Sequence, residues 1–105
     1  MTHPALSDQS VVTITGGASG IGLASALRFA RMGMAVAIAD TRETLLAAAA
    51  DQVKAAGARD VMTAATDVSD RSALETLEKD IASRWGGTDI LMNNAGIQPG
   101  STLFG

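Results

Sequence analysis

Residues 11–22 read VVTITGGASGIG. A run of apolar and β-branched residues passes straight into a stretch holding Gly16, Gly20 and Gly22, after which Leu23, Ala26, Leu27 and Ala30 recur at i, i+3, i+4 and i+7. A strand, a bend stripped of side chains and a helix with one apolar face therefore meet within a few residues. The signals then repeat. Val11–Ile14, Met34–Ala39, Val61–Ala65 and Ile90–Met92 are short, non-alternating apolar runs bounded by Gly, Asp or Asn. Runs without alternation are expected for strands buried on both faces, as in a parallel sheet. Leu46, Ala49, Ala50 and Val53 give the second intervening segment a helical stripe, and Leu74, Leu77 and Ile81 the third, with Trp85 at its end.

Gly33, Gly57 and Gly86 fall where these helices should stop, and Thr41 and Ser69 where the second and third should be capped. Four strands alternating with three helices, joined by right-handed crossovers, predict an α/β fold. It is the first half of a doubly wound parallel sheet, in spatial order 3-2-1-4. The alanine run 47–50 needs only helix propensity to explain it. The expected division is a flexible N-terminus, residues 1–9, and one domain, residues 10–105, without internal repeats.

Composition narrows the function. The 105 residues are 47% apolar and 18% charged, with net charge −3, which fits a globular chain and not a disordered one. There is no Lys/Arg cluster to suit nucleic acid, and no apolar run near the roughly 20 residues of a membrane span. No signal-peptide pattern opens the chain, so a soluble cytoplasmic protein is expected. Without cysteine there is no disulfide, thiol nucleophile or thiolate metal site, and His3, the one histidine, lies in the polar N-terminal stretch.

The glycine bend has a chemical use. A dinucleotide's pyrophosphate needs backbone N–H donors and the positive end of a helix brought close, without side chains in the way. Gly16 would permit the tight exit from the first strand, Gly20 the approach of phosphate, and Gly22 the contact of helix with sheet. No Gly-Lys-Ser/Thr follows, so this is not a Walker loop. Asp40 ends the second strand, 20 residues beyond Gly20, where a dinucleotide fold places an acid to accept from the adenosine ribose hydroxyls. A carboxylate there repels a ribose 2′-phosphate, which favours NAD over NADP, although Arg42 two residues on could offset the repulsion.

At these residues the chain resembles the short-chain dehydrogenase/reductase family. TGGASGIG is similar to the family's TG-x-x-x-G-x-G cofactor motif, and DILMNNAG, residues 89–96, to its Asn-Asn-Ala-Gly segment closing the fourth strand. The resemblance implies a Rossmann-type fold, with pyrophosphate and nicotinamide-side contacts from Gly16, Ser19, Gly20 and Ile21, and the adenosine ribose on Asp40. It further implies that Asp67 and Val68 flank the adenine, and that Asn94, Ala95 and Gly96 line the adenosine side of the cleft. Asn93 is expected to be a strut to neighbouring backbone.

The family moves a hydride between nicotinamide and a carbon bearing oxygen, with a proton handled by a tyrosine beside a lysine and a serine. Those residues come as a Ser and a later Tyr-x-x-x-Lys beyond the fourth strand. This sequence has no tyrosine, and Lys54 and Lys79 fall on peripheral helices. Ser101 has no base beside it. The expectation is therefore an NAD(P)-dependent oxidoreductase represented by a truncated, dinucleotide-binding half without catalytic residues. Alternatives are a non-catalytic dinucleotide-binding module or an inactive gene remnant. NAD(H) is the expected partner, and an alcohol or ketone would be substrate only for a full-length form, which in this family is usually a homo-oligomer. The fourth strand is expected to present an exposed edge.

Overall fold

The computed structural model describes residues 7–94, so the expectations placed on Ala95, Gly96, Ser101 and His3 lie outside the described residues. Within them the order is β1 (Val11–Thr15), α1 (Gly20–Arg31), β2 (Ala35–Asp40), α2 (Glu43–Ala56), β3 (Asp60–Ala65), α3 (Arg71–Trp85) and β4 (Ile90–Asn93). All the strand pairings are parallel and the sheet runs β3-β2-β1-β4, as the pattern of runs predicts. Register sets Ile14 beside Ile38 and Met92, and Thr15 beside Ala39 and Asn93, so the strands end along one edge.

The pleat divides the core in two. Val12, Ile14, Val36 and Ile38 face α1 and α2, whose Ala26, Ala30, Leu46, Ala49 and Val53 cover them. On the opposite face Ala35, Ala37 and Ala39 present only methyl groups, which leaves room for Leu77 and Ile81 of α3 to seat closely.

Two expectations need correction. β3 and β4 are not buried on both faces: Thr63, Ala65, Leu91 and Asn93 are exposed. These are the outer strands of the described sheet, and a helix covers each of them only in part. The N-caps also shift by one residue, to Arg42 and Asp70. Asp67 Oδ1 accepts from both the amide and the hydroxyl of Ser69, at 2.9 and 2.7 Å, which commits Ser69 to that turn. The Asp70 carboxylate is left to accept from Ala73 N. Arg42 reaches its place because its own amide is held by Asp40, as described below.

Gly57 and Gly86 are C-caps with φ of 120° and 87°, as expected from their spacing. Before β1, Arg59 donates to the carbonyls of Asp8, Gln9 and Ser10, which ties the segment leading into β1 to the start of β3.

Candidate dinucleotide site

β1 is the strand at which the chain reverses its direction of growth across the sheet, with β2 and β3 to one side and β4 to the other. Ligands of open parallel sheets bind outside the carboxyl ends of the strands at such a switch point. Here that position is occupied by the turn from Gly16 to Ser19, leading into α1.

The backbone of this turn is pinned to β2. Gly16 N and Gly17 N donate to Ala39 O at 2.7 and 3.4 Å, and Ala18 N donates to Asp40 Oδ2 at 3.1 Å. The next amides, those of Gly20, Ile21 and Gly22, have no hydrogen-bond partner among the described residues, as the first turn of a helix requires. They are the donors an anion could use. Ser19 sits at the N-cap, but its hydroxyl makes no capping bond, so it too is uncommitted. Ile21, in the first turn of α1, stands 70% exposed, a large apolar side chain with little cover among the described residues.

Asp40 is buried, with all its oxygen capacity in use. Oδ1 accepts from Arg42 N at 3.0 Å and Arg42 Nε at 2.9 Å, and Oδ2 accepts from Arg42 Nη2 at 2.8 Å as well as from Ala18 N. The Arg42 hydrogen bonds outweigh the opposing effect of burial and, with the Ala18 amide, hold the carboxyl down to about 2. Asp67 is exposed, and its carboxyl is lowered by the Ser69 hydroxyl and amide.

Gly16, Asp40, Thr41, Arg42, Thr66, Asp67 and Val68 line one cleft of about 260 Å³. Four of the residues picked from the sequence thus converge: Gly16, Asp40, Asp67 and Val68. A larger hollow, about 580 Å³, lies on the α3 face over Thr13, Thr15, Leu91 and Asn93. Of the residues predicted to touch a cofactor it reaches only Val68, and its walls are mainly apolar. The smaller cleft holds the convergent polar groups that orient a ligand, so it is the better candidate for the adenosine end.

Asn94 does not line that cleft. Its amide N donates to Thr15 O at 3.2 Å and Thr15 Oγ1 at 3.1 Å, and Nδ2 reaches Gly16 O at 3.5 Å, so it fastens β4 under the turn. Asn93 does act as a tie, but to a side chain: its Oδ1 accepts from Thr15 Oγ1 at 2.8 Å. The strut to backbone expected of Asn93 is therefore supplied by Asn94.

Sequence reasoning passed over Gly17, Ala18 and Thr15. A Cβ on Gly17 would lie 2.9 Å from Ile38 Cγ2, a packing constraint that the neighbouring glycines masked. Among the described residues no three His, Cys, Asp or Glu side chains group to hold a metal, and no helix is long and apolar enough to cross a membrane.

A profile of the family described as "short chain dehydrogenase" matches residues 10–104. The chain is 40% identical over 93 residues to a (2S)-[(R)-hydroxy(phenyl)methyl]succinyl-CoA dehydrogenase subunit from Thauera aromatica, covering 89% of this chain and 37% of the relative. Among solved structures it is similar to NAD+-bound xylitol dehydrogenase, with TM-score 0.80, 33% identity, and coverage of 86% of this chain and 34% of that one. It is also similar to L-sorbose reductase from Gluconobacter frateurii complexed with NADPH and L-sorbose, with TM-score 0.81 and 33% identity over 94% of this chain and 38% of that one. The chain spans about a third to a half of the length of the curated relatives it matches.

Proposed function

Because this chain belongs to the short chain dehydrogenase family, we propose that it binds a nicotinamide dinucleotide across the carboxyl ends of its strands, with NAD preferred to NADP. The pyrophosphate lies against Gly16, Ser19, Gly20 and Ile21, the adenosine ribose on Asp40, and the adenine between Asp67 and Val68. Asn94 acts beneath the turn, and Ala95 and Gly96 continue toward the adenosine side. The bound cofactor supplies hydride transfer to or from a carbon bearing oxygen.

The observation that carries this reading is the hydrogen bond from Ala18 N to Asp40 Oδ2. It joins the phosphate turn and the ribose acid into one rigid unit on the edge where an open parallel sheet takes its ligands. The relatives support a dinucleotide of either kind, since one is described as bound to NAD+ and another as complexed with NADPH.

The 105 residues contain no tyrosine, so the proton transfer that the family resemblance assigns to one is not carried by them. The contribution proposed for this chain is therefore binding and orientation. The Asp40→Ala variant tests it by calorimetry. NAD affinity should fall about tenfold, as expected for losing hydrogen bonds to an ionised acceptor, and discrimination against NADP should relax. Unchanged affinities for both nucleotides would remove Asp40 from the site.

A further inference from the structure

Each Asp40 oxygen accepts two hydrogen bonds, and a carboxylate has about four lone-pair sites, so this one is full. Yet it lines the cleft in which it is assigned the ribose. Its four donors differ in how firmly they are held. Ala18 N belongs to a turn anchored alongside by Gly16 N on Ala39 O at 2.7 Å, and Arg42 N is fixed by the main chain two residues beyond Asp40. The guanidinium ends a flexible stem, with its side chain 50% exposed against 3% for Asp40. It alone can leave without rebuilding the turn. Its Nε and Nη2 occupy one site on each oxygen, a two-pronged arrangement that the two hydroxyl donors of a ribose diol can also make.

We propose that the Arg42 guanidinium is a resident occupant of the ribose site: it and the ribose diol are alternatives at Asp40, and the dinucleotide enters by displacing it. The inference rests on the reading of Asp40 as ribose acceptor. It has a consequence for selectivity. Displaced by NAD, the guanidinium loses its carboxylate partner. A 2′-phosphate on the ribose restores a partner for it, because an arginine fork suits phosphate as well as carboxylate. Arg42 therefore opposes NAD and assists NADP.

The test uses the whole 105-residue chain, the Arg42→Ala and Asp40→Asn variants, and calorimetric titration with NAD and with NADP. In Arg42→Ala the NAD affinity should rise about fivefold, the scale of an ion pair open to water on one side, and the NADP affinity should fall. A purely structural role for Arg42 would move both affinities in the same direction, and that result overturns the inference. A second readout needs no substitution. The Arg42 Nε–H resonance of the unmodified chain should be protected from exchange without ligand and lose that protection at saturating NAD; retained protection overturns the proposal. If Asp40→Asn leaves NAD binding unchanged, or the unmodified chain binds neither nucleotide at millimolar concentration, the ribose reading itself fails and the inference with it. If Asp40→Asn weakens NAD while Arg42→Ala shifts both nucleotides in parallel, only the Arg42 inference fails.

Discussion

Gly20 and Gly22 stand two residues apart and are glycine for opposite reasons. A Cβ on Gly20 would meet nothing within 4 Å, but the residue has φ of +57°, a conformation L side chains rarely adopt. A Cβ on Gly22 would lie 2.1 Å from Gly16 O and 2.9 Å from Asn94 Nδ2, because the first turn of α1 rests on the backbone of the bend. The Asn94 amide could turn aside, but the Gly16 carbonyl is backbone and cannot yield without moving the bend. Gly20→Ala should therefore cost about 1 kcal/mol in urea unfolding, and Gly22→Ala about 3 kcal/mol, with a loss of NAD affinity as the bend shifts. Equal costs would show that the close approach at Gly22 is not maintained in solution. Asp40 adds a pH dependence at the same scale. Its folded pKa, about 2, lies below the ordinary 3.8, so its contribution to stability is complete above pH 3.8 and is lost as pH falls toward 2. The urea midpoint should drop through that window, and Asp40→Asn should flatten the drop. An unchanged profile in the variant would place the acid sensitivity at other carboxylates.

The elements are set by interactions of two ranges. Helix stripes and glycine stops are local, and they were legible: Leu46, Ala49 and Val53 are buried as their spacing predicts, and Gly57 and Gly86 close α2 and α3. The caps were harder to read, because Ser69 and Asp70 are both good cap residues and only the turn before α3 decides between them. Asp67 claims Ser69, so Asp70 takes the cap through its bond to Ala73 N at 3.2 Å. Asp70→Ala should cost about 1 kcal/mol of stability, and Ser69→Ala measurably less; the reverse order in denaturant titrations would return the cap to Ser69. At its other end α3 is fixed by a long-range cluster. Asp60 at the start of β3 accepts from Arg84 Nε and Nη2 at 2.8 and 2.9 Å and from Trp85 Nε1 at 2.9 Å. Nothing in the local pattern around Asp60 announces those partners, which lie 24 and 25 residues away.

Across the whole molecule the sheet is covered unevenly. Among the described residues α1 and α2 close one face, whereas α3 alone packs on the other, beside the 580 Å³ hollow over β1 and β4. Leu91 stands 66% exposed there, on a strand whose outer edge is unpaired among the described residues. Exposed apolar edges favour association. Sedimentation should show the mean mass of this chain rising with concentration, and Leu91→Lys should suppress that rise; a mass independent of concentration in both chains would show that the edge is protected. By itself the sequence determined the alternation of strands and helices, the glycine bend between β1 and α1, and the acid at the end of β2. Those features follow from periodicity and backbone sterics, which act over a few residues. The tertiary structure alone decided that Asp40 would be shared between a backbone amide and Arg42, that Asn94 and not Asn93 would fasten the bend, and that β3 and β4 would be half-covered. Each of these depends on which groups the packing of distant segments brings within hydrogen-bond reach, and spacing along the chain does not encode that distance.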